Sequence, residues 1–343
     1  GNAIGDNSLV TLATNRNTTL QLLGDETIGR LQGGQRATAA DYGTVDVGAH
    51  TLTINNSGGN TTYAGVFTGG GTIVRQGTHN LTLTGVSTGF TGNVIINTGR
   101  FELSGSGRLD AASFTVNAGG VLLLNNNGAT RTGARLLDTA TITLNSANGS
   151  YQGQTIVKGF VLLTDQDDTN SETVGLVTAN SGASYITAEG TSANDDPNLT
   201  MSSLARVSGA TVNLRGTNLG SANTQRGQIR IATANEAAFI ATMIGGGSTT
   251  AGADNISIVP WAVGEAVAGA TADGNMGNSL VTYVVGSGFR PLDLTTEYAG
   301  FTASGATDNV RENLAADLTA LAGKTLNSLV INNQAVGTPL SVT

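Results

Sequence analysis

Residues 80–103 read NLTLTGVSTGFTGNVIINTGRFEL, and the alternation inside this stretch decides the fold. Leu81 and Leu83 fall on one face of an extended segment, Thr82 and Thr84 on the other. Phe101 and Leu103 repeat the pattern against Arg100 and Glu102. Gly-bearing turns separate the runs, so the stretch reads strand, turn, strand, turn, strand. That is a half-buried β signal, and much of the remaining chain varies it.

Composition agrees. Glycine supplies 49 of 343 residues and proline only 4, with 12% charged and 4% aromatic residues, so Thr, Ser, Asn and Gly stand where a helical enzyme carries Lys, Glu and Leu. A hydrophobic content of 39% and a mean hydropathy near zero exceed what a disordered chain shows, so the chain is expected to fold. The net charge of −8, with no cluster of Lys or Arg, argues against a surface that tracks nucleic-acid phosphates. No apolar run reaches about 18 residues, and the sequence opens without a secretion leader, so it reads as a mature or excised segment. The absence of cysteine removes disulfides, thiolate metal sites and thiol catalysis.

Taken in order, LVTLA (9–13), TTLQLL (18–23) and TIGRLQ (27–32) read as three strands, followed by TVDV (44–47) and TLTI (51–54). SFTVNAGGVLLLNNNG (113–128) and TATITLNSANG (139–149) are further copies, the NNN of the first suggesting an asparagine stack. Spacing is uneven and no fixed period is apparent, as in a coil with variable loops. Residues 1–150 are the most regular, 151–234 looser with acidic loops TDQDDTNSE and GTSANDDPN, and 235–343 carry possible short helices. NEAAFIATMIGGG (235–247) has the formers and the Gly stop of a helix. DNVRENLAADLTALAG (308–323) allows either a helix, with Val310, Leu314, Leu318 and Leu321 at helical spacing, or successive strands.

Several residues invite chemistry. Gly85, Ser87 and Gly89 match the nucleophile-elbow pattern, yet a strand rather than a helix is expected to follow, and only His50 and His79 could serve as base. Gly323, Lys324 and Thr325 suggest a phosphate loop, but position 318 is Leu where that loop needs Gly. Asp165, Asp167, Asp168 and Glu172 could ligate calcium, or, with Asp195 and Asp196, form a glycosidase pair; a solvated loop is the simpler reading. Trp261, with Tyr283 and Phe289, could stack on a sugar, although closing the core is the plainer role. Asn17, Asn55, Asn60, Asn80, Asn148, Asn198 and Asn255 begin Asn-x-Ser/Thr sequons, about as many as chance gives. No catalytic, cofactor or metal residue is assigned.

The segment LTLTGVSTGFTGNVIINTGRFEL resembles the autotransporter-associated β-strand repeat, and ETIGRLQGG, GTVDVGAHTLTI, LLDTATITLNSANG, SETVGLVTANSGAS, SLARVSGATVNLRGTNLG and ISIVPWAV extend the likeness over nearly the whole chain. The resemblance implies a right-handed parallel β-helix, a β-solenoid exported to the bacterial cell surface within a longer chain, and brings no catalytic residue. Neither a secretion signal nor a translocator barrel accompanies it. The expectation is a single all-β solenoid over 1–343, with coils of roughly 20 residues, on the order of 17 rungs and a rod near 80 Å. The implied role is a non-enzymatic stalk or fibre segment, without cofactor, partnered by copies of itself or neighbouring repeats. Neither end is expected to carry a cap. An adhesin that binds host or matrix glycans is the alternative, and a β-helical hydrolase or lyase a further one. Valine at Gly89 or Gly92 is expected to cost folding, since both are placed at a coil corner.

Overall fold

The computed structural model describes residues 3–12, 17–35, 43–128, 130, 132–151, 154–164, 170–190, 194–221, 226–248, 250–265, 279–314 and 324–333. For 151, 154–158 and 313–314 it describes the backbone alone. Among these residues the alternating runs form strands, and the single α-helix is Glu236–Ile240, entered through the 3-10 turn Thr233–Asn235. The chain is a parallel β-solenoid.

Two long sheets run along it. The longer has twelve strands, from Leu9–Leu12 through Asn80–Leu83 and Gly99–Ser104 to Ala262–Glu265, Ser279–Val284 and Gly288–Pro291. Its first ten strands are parallel and its last two antiparallel. The second has nine parallel strands, from Glu26–Ile28 to Gln228–Ile231. A third sheet of four parallel strands, Thr18–Gln21, Gly43–Asp46, Val66–Gly69 and Gly89–Phe90, makes the early coils three-sided. The pair Val86–Ser87 and Arg108–Leu109 extends that side by one step, and among the described residues the later coils are built from the two long sheets alone.

Parallel register turns the alternation into columns. Leu81, Phe101, Leu122, Phe160, Ile186 and Leu214 stack on the inner side of the long sheet, opposite Leu52, Ile73, Val94, Phe114, Ile142, Val177 and Leu204 of the second. Nearly all of these are fully buried in one continuous core. At about 25 cal/mol per Å² of apolar surface, such columns are the main stabilising term.

The columns also give the period. Register partners Thr61, Leu81, Phe101 and Leu122 lie 20, 20 and 21 residues apart, a near-constant step that uneven turns hide in the sequence. Beyond Leu122 the steps lengthen to 38, 26, 28 and 50, reaching Gly264. Lengthened coils explain why ten parallel rungs are seen among the described residues in place of about 17, and why this sheet spans roughly 45 Å at about 4.8 Å per rung.

Three local expectations are corrected. TIGRLQ is two strands, Glu26–Ile28 and Arg30–Gly33, in different sheets. Gly29 makes the corner, where a Cβ would lie 2.3 Å from the Asn7 carbonyl carbon. The asparagine stack lies elsewhere than 125–127. Asn117 donates to Asn97 at 2.8 Å, Asn145 to Asn117 at 2.8 Å and Asn180 to Asn145 at 2.7 Å, a ladder of amides where strands of the second sheet end. Of 308–323, Asn309–Leu314 is a strand parallel to Ser328–Asn333, and 315–323 lie outside the described residues. The stretch 235–247 does contain a helix, five residues long.

The half-buried reading fails at the middle of the long sheet. Gly120–Asn126 and Phe160–Thr164 are buried on both faces, and Val121, Leu123, Val161 and Leu163 form a second apolar cluster outside the main core. The antiparallel pair Ser150–Tyr151 and Gln154–Lys158 packs against this part of the sheet.

Candidate functional site

Among the described residues the sequence candidates do not converge. Ser87 is buried in strand Val86–Ser87, its Oγ accepts the Phe67 N–H at 3.0 Å, and strand Gly89–Phe90 follows where an elbow needs a helix. The hydroxyl thus replaces a ladder acceptor. His79 shares a 3.1 Å hydrogen bond with the Asn56 carbonyl, and His50 donates its backbone N–H to Val47; neither bonds Ser87. Lys324 donates to the carbonyls of Thr302 and Ser304 and lies 5.4 Å from the Phe301 ring centre, while Gly323 and the rest of the phosphate-loop pattern back to position 318 lie outside the described residues. Asn60 and Asn148, exposed sequon residues, accept the backbone N–H of Asn80 and Gly119.

Asp165, Asp167 and Asp168 lie outside the described residues. Glu172 is fully buried and Asp195 likewise, while Asp196 accepts the Arg226 N–H at 3.0 Å. Among the described residues no group of three or more His, Asp or Glu is arranged to hold a metal ion.

Buried carboxylates instead finish the backbone ladders where a coil changes shape. Glu172 accepts the N–H groups of Arg135 and Leu136 at 2.9 and 3.0 Å, and Glu189 accepts the N–H of Thr217 at 3.0 Å and its hydroxyl. A buried N–H without such an acceptor would cost about 1–3 kcal/mol. Sequence reasoning missed this role, because a lone Glu inside a polar run looks solvated.

These two groups predict an unusual pH dependence. Burial pushes the Glu172 carboxyl up to about 7, against its two N–H bonds and the Arg135 charge. Burial likewise pushes Glu189 up to about 7, against its Thr217 contacts. An unfolded chain would titrate both near 4.5. Between those values the folded protein holds protons that the unfolded chain has released, so stability is full below about 4.5 and falls as pH rises towards 7, by on the order of 3 kcal/mol per carboxyl. Glu26, Asp293 and Glu297 are held below the usual range, so their effect belongs to still lower pH. Urea midpoints at pH 5 are expected to exceed those at pH 8. Glu189→Gln, which keeps an acceptor for the Thr217 N–H, should remove part of the difference. A midpoint that rises from pH 5 to pH 8 would contradict this assignment.

The aromatic candidates divide. Tyr283 and Phe289 are buried with Phe239 in an edge-to-face trio, ring centres 4.9 to 5.6 Å apart, and the Tyr283 hydroxyl donates to Glu236 at 2.7 Å. The trio sits where the short helix and the two antiparallel strands turn across the end of the long sheet. That end is therefore closed, contrary to the expectation of no cap. Trp261 is half-buried and packs against the main core at one wall of a groove.

The opposite end is built differently. Leu9–Leu12, Thr18–Gln21 and Glu26–Ile28 are the outermost strands of the three sheets, all in the first rung, each with one neighbouring strand among those described. Leu9 is 41% exposed and Leu23 87%, and Ile4, Val10 and Leu20 cover the core only in part. A hollow of about 290 Å³ opens between Ile4, Leu20, Leu22 and Leu23. Glu26 draws Ala3 and Ile4 across one side by accepting their N–H groups at 2.8 and 3.0 Å. Those bonds, Ala3 first, hold its carboxyl below the usual range although burial opposes them.

The described residues form a parallel β-solenoid that is closed beside the aromatic trio and whose first described rung carries the outermost strand of all three sheets with an apolar margin. Comparison with protein-family models, with curated proteins and with solved structures returns no match.

Proposed function

We propose that this chain is a non-enzymatic structural segment of an extracellular bacterial surface protein or fibre, and that its first rung docks a further β-coil, here a second copy of the same chain. The observation that carries this is the first rung itself: three sheets reach their outermost strands at one end, beside exposed Leu9 and Leu23. Edge strands of this kind template pairing with another chain, and burying the Leu23 side chain favours contact by roughly 1.5–3 kcal/mol, with a smaller gain from Leu9, which is 41% exposed. The extracellular bacterial placement rests on the resemblance of residues 81–103 and the other quoted segments to the autotransporter-associated repeat.

Light scattering across a concentration series tests the docking. The parent chain should gain mass with concentration. A Leu9→Lys, Leu23→Lys variant should remain a monomer with an unchanged thermal midpoint, because both side chains point into solvent. A parent chain that stays monomeric at its highest soluble concentration would overturn the proposal.

A further inference from the structure

The groove beside Trp261 carries a second, independent reading. It lies between the last residues of strand Asn198–Arg206, the short helix Glu236–Ile240 with Thr242, and the chain entering strand Ala262–Glu265. Its volume is about 510 Å³, within the range of sites that take small ligands. Phe239 and Trp261 make an apolar floor, and Ser203, Asn235 and Thr242 line it with hydroxyl and amide groups.

The polar groups are free to bind. The Ser203 hydroxyl has no hydrogen bond to any described residue, Thr242 Oγ donates to the Phe239 carbonyl and keeps its acceptor sites, and Asn235 uses only its amide N–H₂, on Ser202. Arg206 is exposed, and its guanidinium carbon lies 5.9 Å from the Trp261 ring centre, the outer limit of a cation–π contact. Among the described residues it forms no ion pair, and its one hydrogen bond is a long 3.5 Å contact to the Ala210 carbonyl. The tryptophan is held in place: its carbonyl accepts the Val212 N–H from the long sheet at 3.2 Å.

We propose that this groove binds an anionic saccharide, one bearing a carboxylate, with Trp261 as platform and Arg206 as carboxylate partner. A sugar ring offers an apolar C–H face and a rim of hydroxyls, which matches an aromatic floor edged by hydroxyl and amide groups. The planar guanidinium fits a carboxylate through paired N–H donors. A nucleic acid is disfavoured, since the whole chain carries −8. An acidic peptide shares the charge but not the ring of hydroxyls.

Trp261 is the only tryptophan, so its fluorescence reports on this groove alone. The full chain is titrated with trigalacturonate, with a neutral trisaccharide and with an acidic tripeptide. Trigalacturonate is expected to change the emission saturably, with at least about tenfold weaker binding of the neutral sugar, equivalent to about 1.4 kcal/mol. Arg206→Ala should abolish that preference without moving the thermal midpoint, and Arg206→Lys should restore it in part. No saturable response to trigalacturonate, an equal response from Arg206→Ala, or a response to the peptide alone would each overturn the proposal. Docking at the first rung lies at the other end of the solenoid, so either reading can fail while the other stands.

Discussion

Gly92→Ala is expected to abolish the native coils under conditions where the parent chain is folded, while Gly89→Ala leaves them intact. A Cβ on Gly92 would lie 1.8 Å from the Gly71 carbonyl oxygen and 2.8 Å from the carbonyl carbons of Gly70 and Gly71. All three are backbone atoms, so no side chain can turn away, and relief requires the two rungs to separate. Separation breaks the Asn93 N–H bond to Gly71, 3.0 Å, and strains the columns on either side. The expected cost is about 3 kcal/mol or more, in the tail of single-substitution effects. Gly89 is another matter. It is exposed, keeps an ordinary φ and meets only the Thr68 Cγ2 at 3.2 Å, the end of a surface side chain. Its substitution should stay within about 0.5 kcal/mol, which corrects the expectation that both glycines hold the corner. Urea unfolding followed by far-ultraviolet circular dichroism separates the two. Equal midpoints for both variants would refute the corner at Gly92.

Arg135→Met is expected to be nearly as damaging by a different route. The guanidinium is fully buried and donates to the carbonyls of Gly105 at 3.0 Å, Gly107 at 2.8 Å and Asn125 at 2.8 Å, and twice to Asn126 Oδ1, at 2.9 and 2.7 Å. Burial lowers its pKa to about 10, so it still carries its charge at neutral pH. Methionine fills much of the volume but removes this donor from the carbonyls of Gly105, Gly107 and Asn125 and leaves Asn126 Oδ1 only the Thr132 N–H at 3.3 Å, at a combined cost of roughly 3–5 kcal/mol. Lysine should not rescue the loss, because an ammonium lacks the planar fork that reaches carbonyls on both sides. The position joins coils with a third side to coils without one, and in a solenoid each coil is stabilised by its neighbours. The variant is therefore expected to unfold in two steps where the parent shows one, with residues 43–128 melting apart from 170–231. A single transition at the parent midpoint would refute this role.

Much of the fold is legible in the sequence, for a definite reason. Parallel stacking copies a strand's alternation directly onto its neighbour, so Leu81 and Leu83 announce Phe101 and Leu103 one rung later. What stays hidden depends on contacts between rungs. The ladder at Asn97, Asn117, Asn145 and Asn180 has a usable signature, since VIIN, FTVN, TITLN and VTAN each place Asn at the end of an alternating run. The NNN triplet is the more conspicuous pattern and the misleading one. Asn125 instead donates to Glu102 at 2.6 Å, and Asn126 receives Arg135. The buried arginines have no signature. Arg75 lies in an inward column between Ile54 and Ile96, where alternation alone calls for an aliphatic side chain. It donates to the carbonyls of Gln76 and Gly77, so it serves a corner. As for the candidate sites, residue types are legible and their dispersal is not. Ser87 and the histidines carry pattern without proximity, while the first rung and the Trp261 groove arise from where the sheets end and turn.

The asparagine ladder bonds amides that are 20, 28 and 35 residues apart with lengths of 2.7–2.8 Å throughout. Amide spacing along the axis is thus indifferent to the length of chain between rungs. Such a molecule can serve as a display scaffold. A peptide epitope spliced after exposed Asn127, between the Asn117 and Asn145 rungs, would project sideways while the amides above and below keep their places.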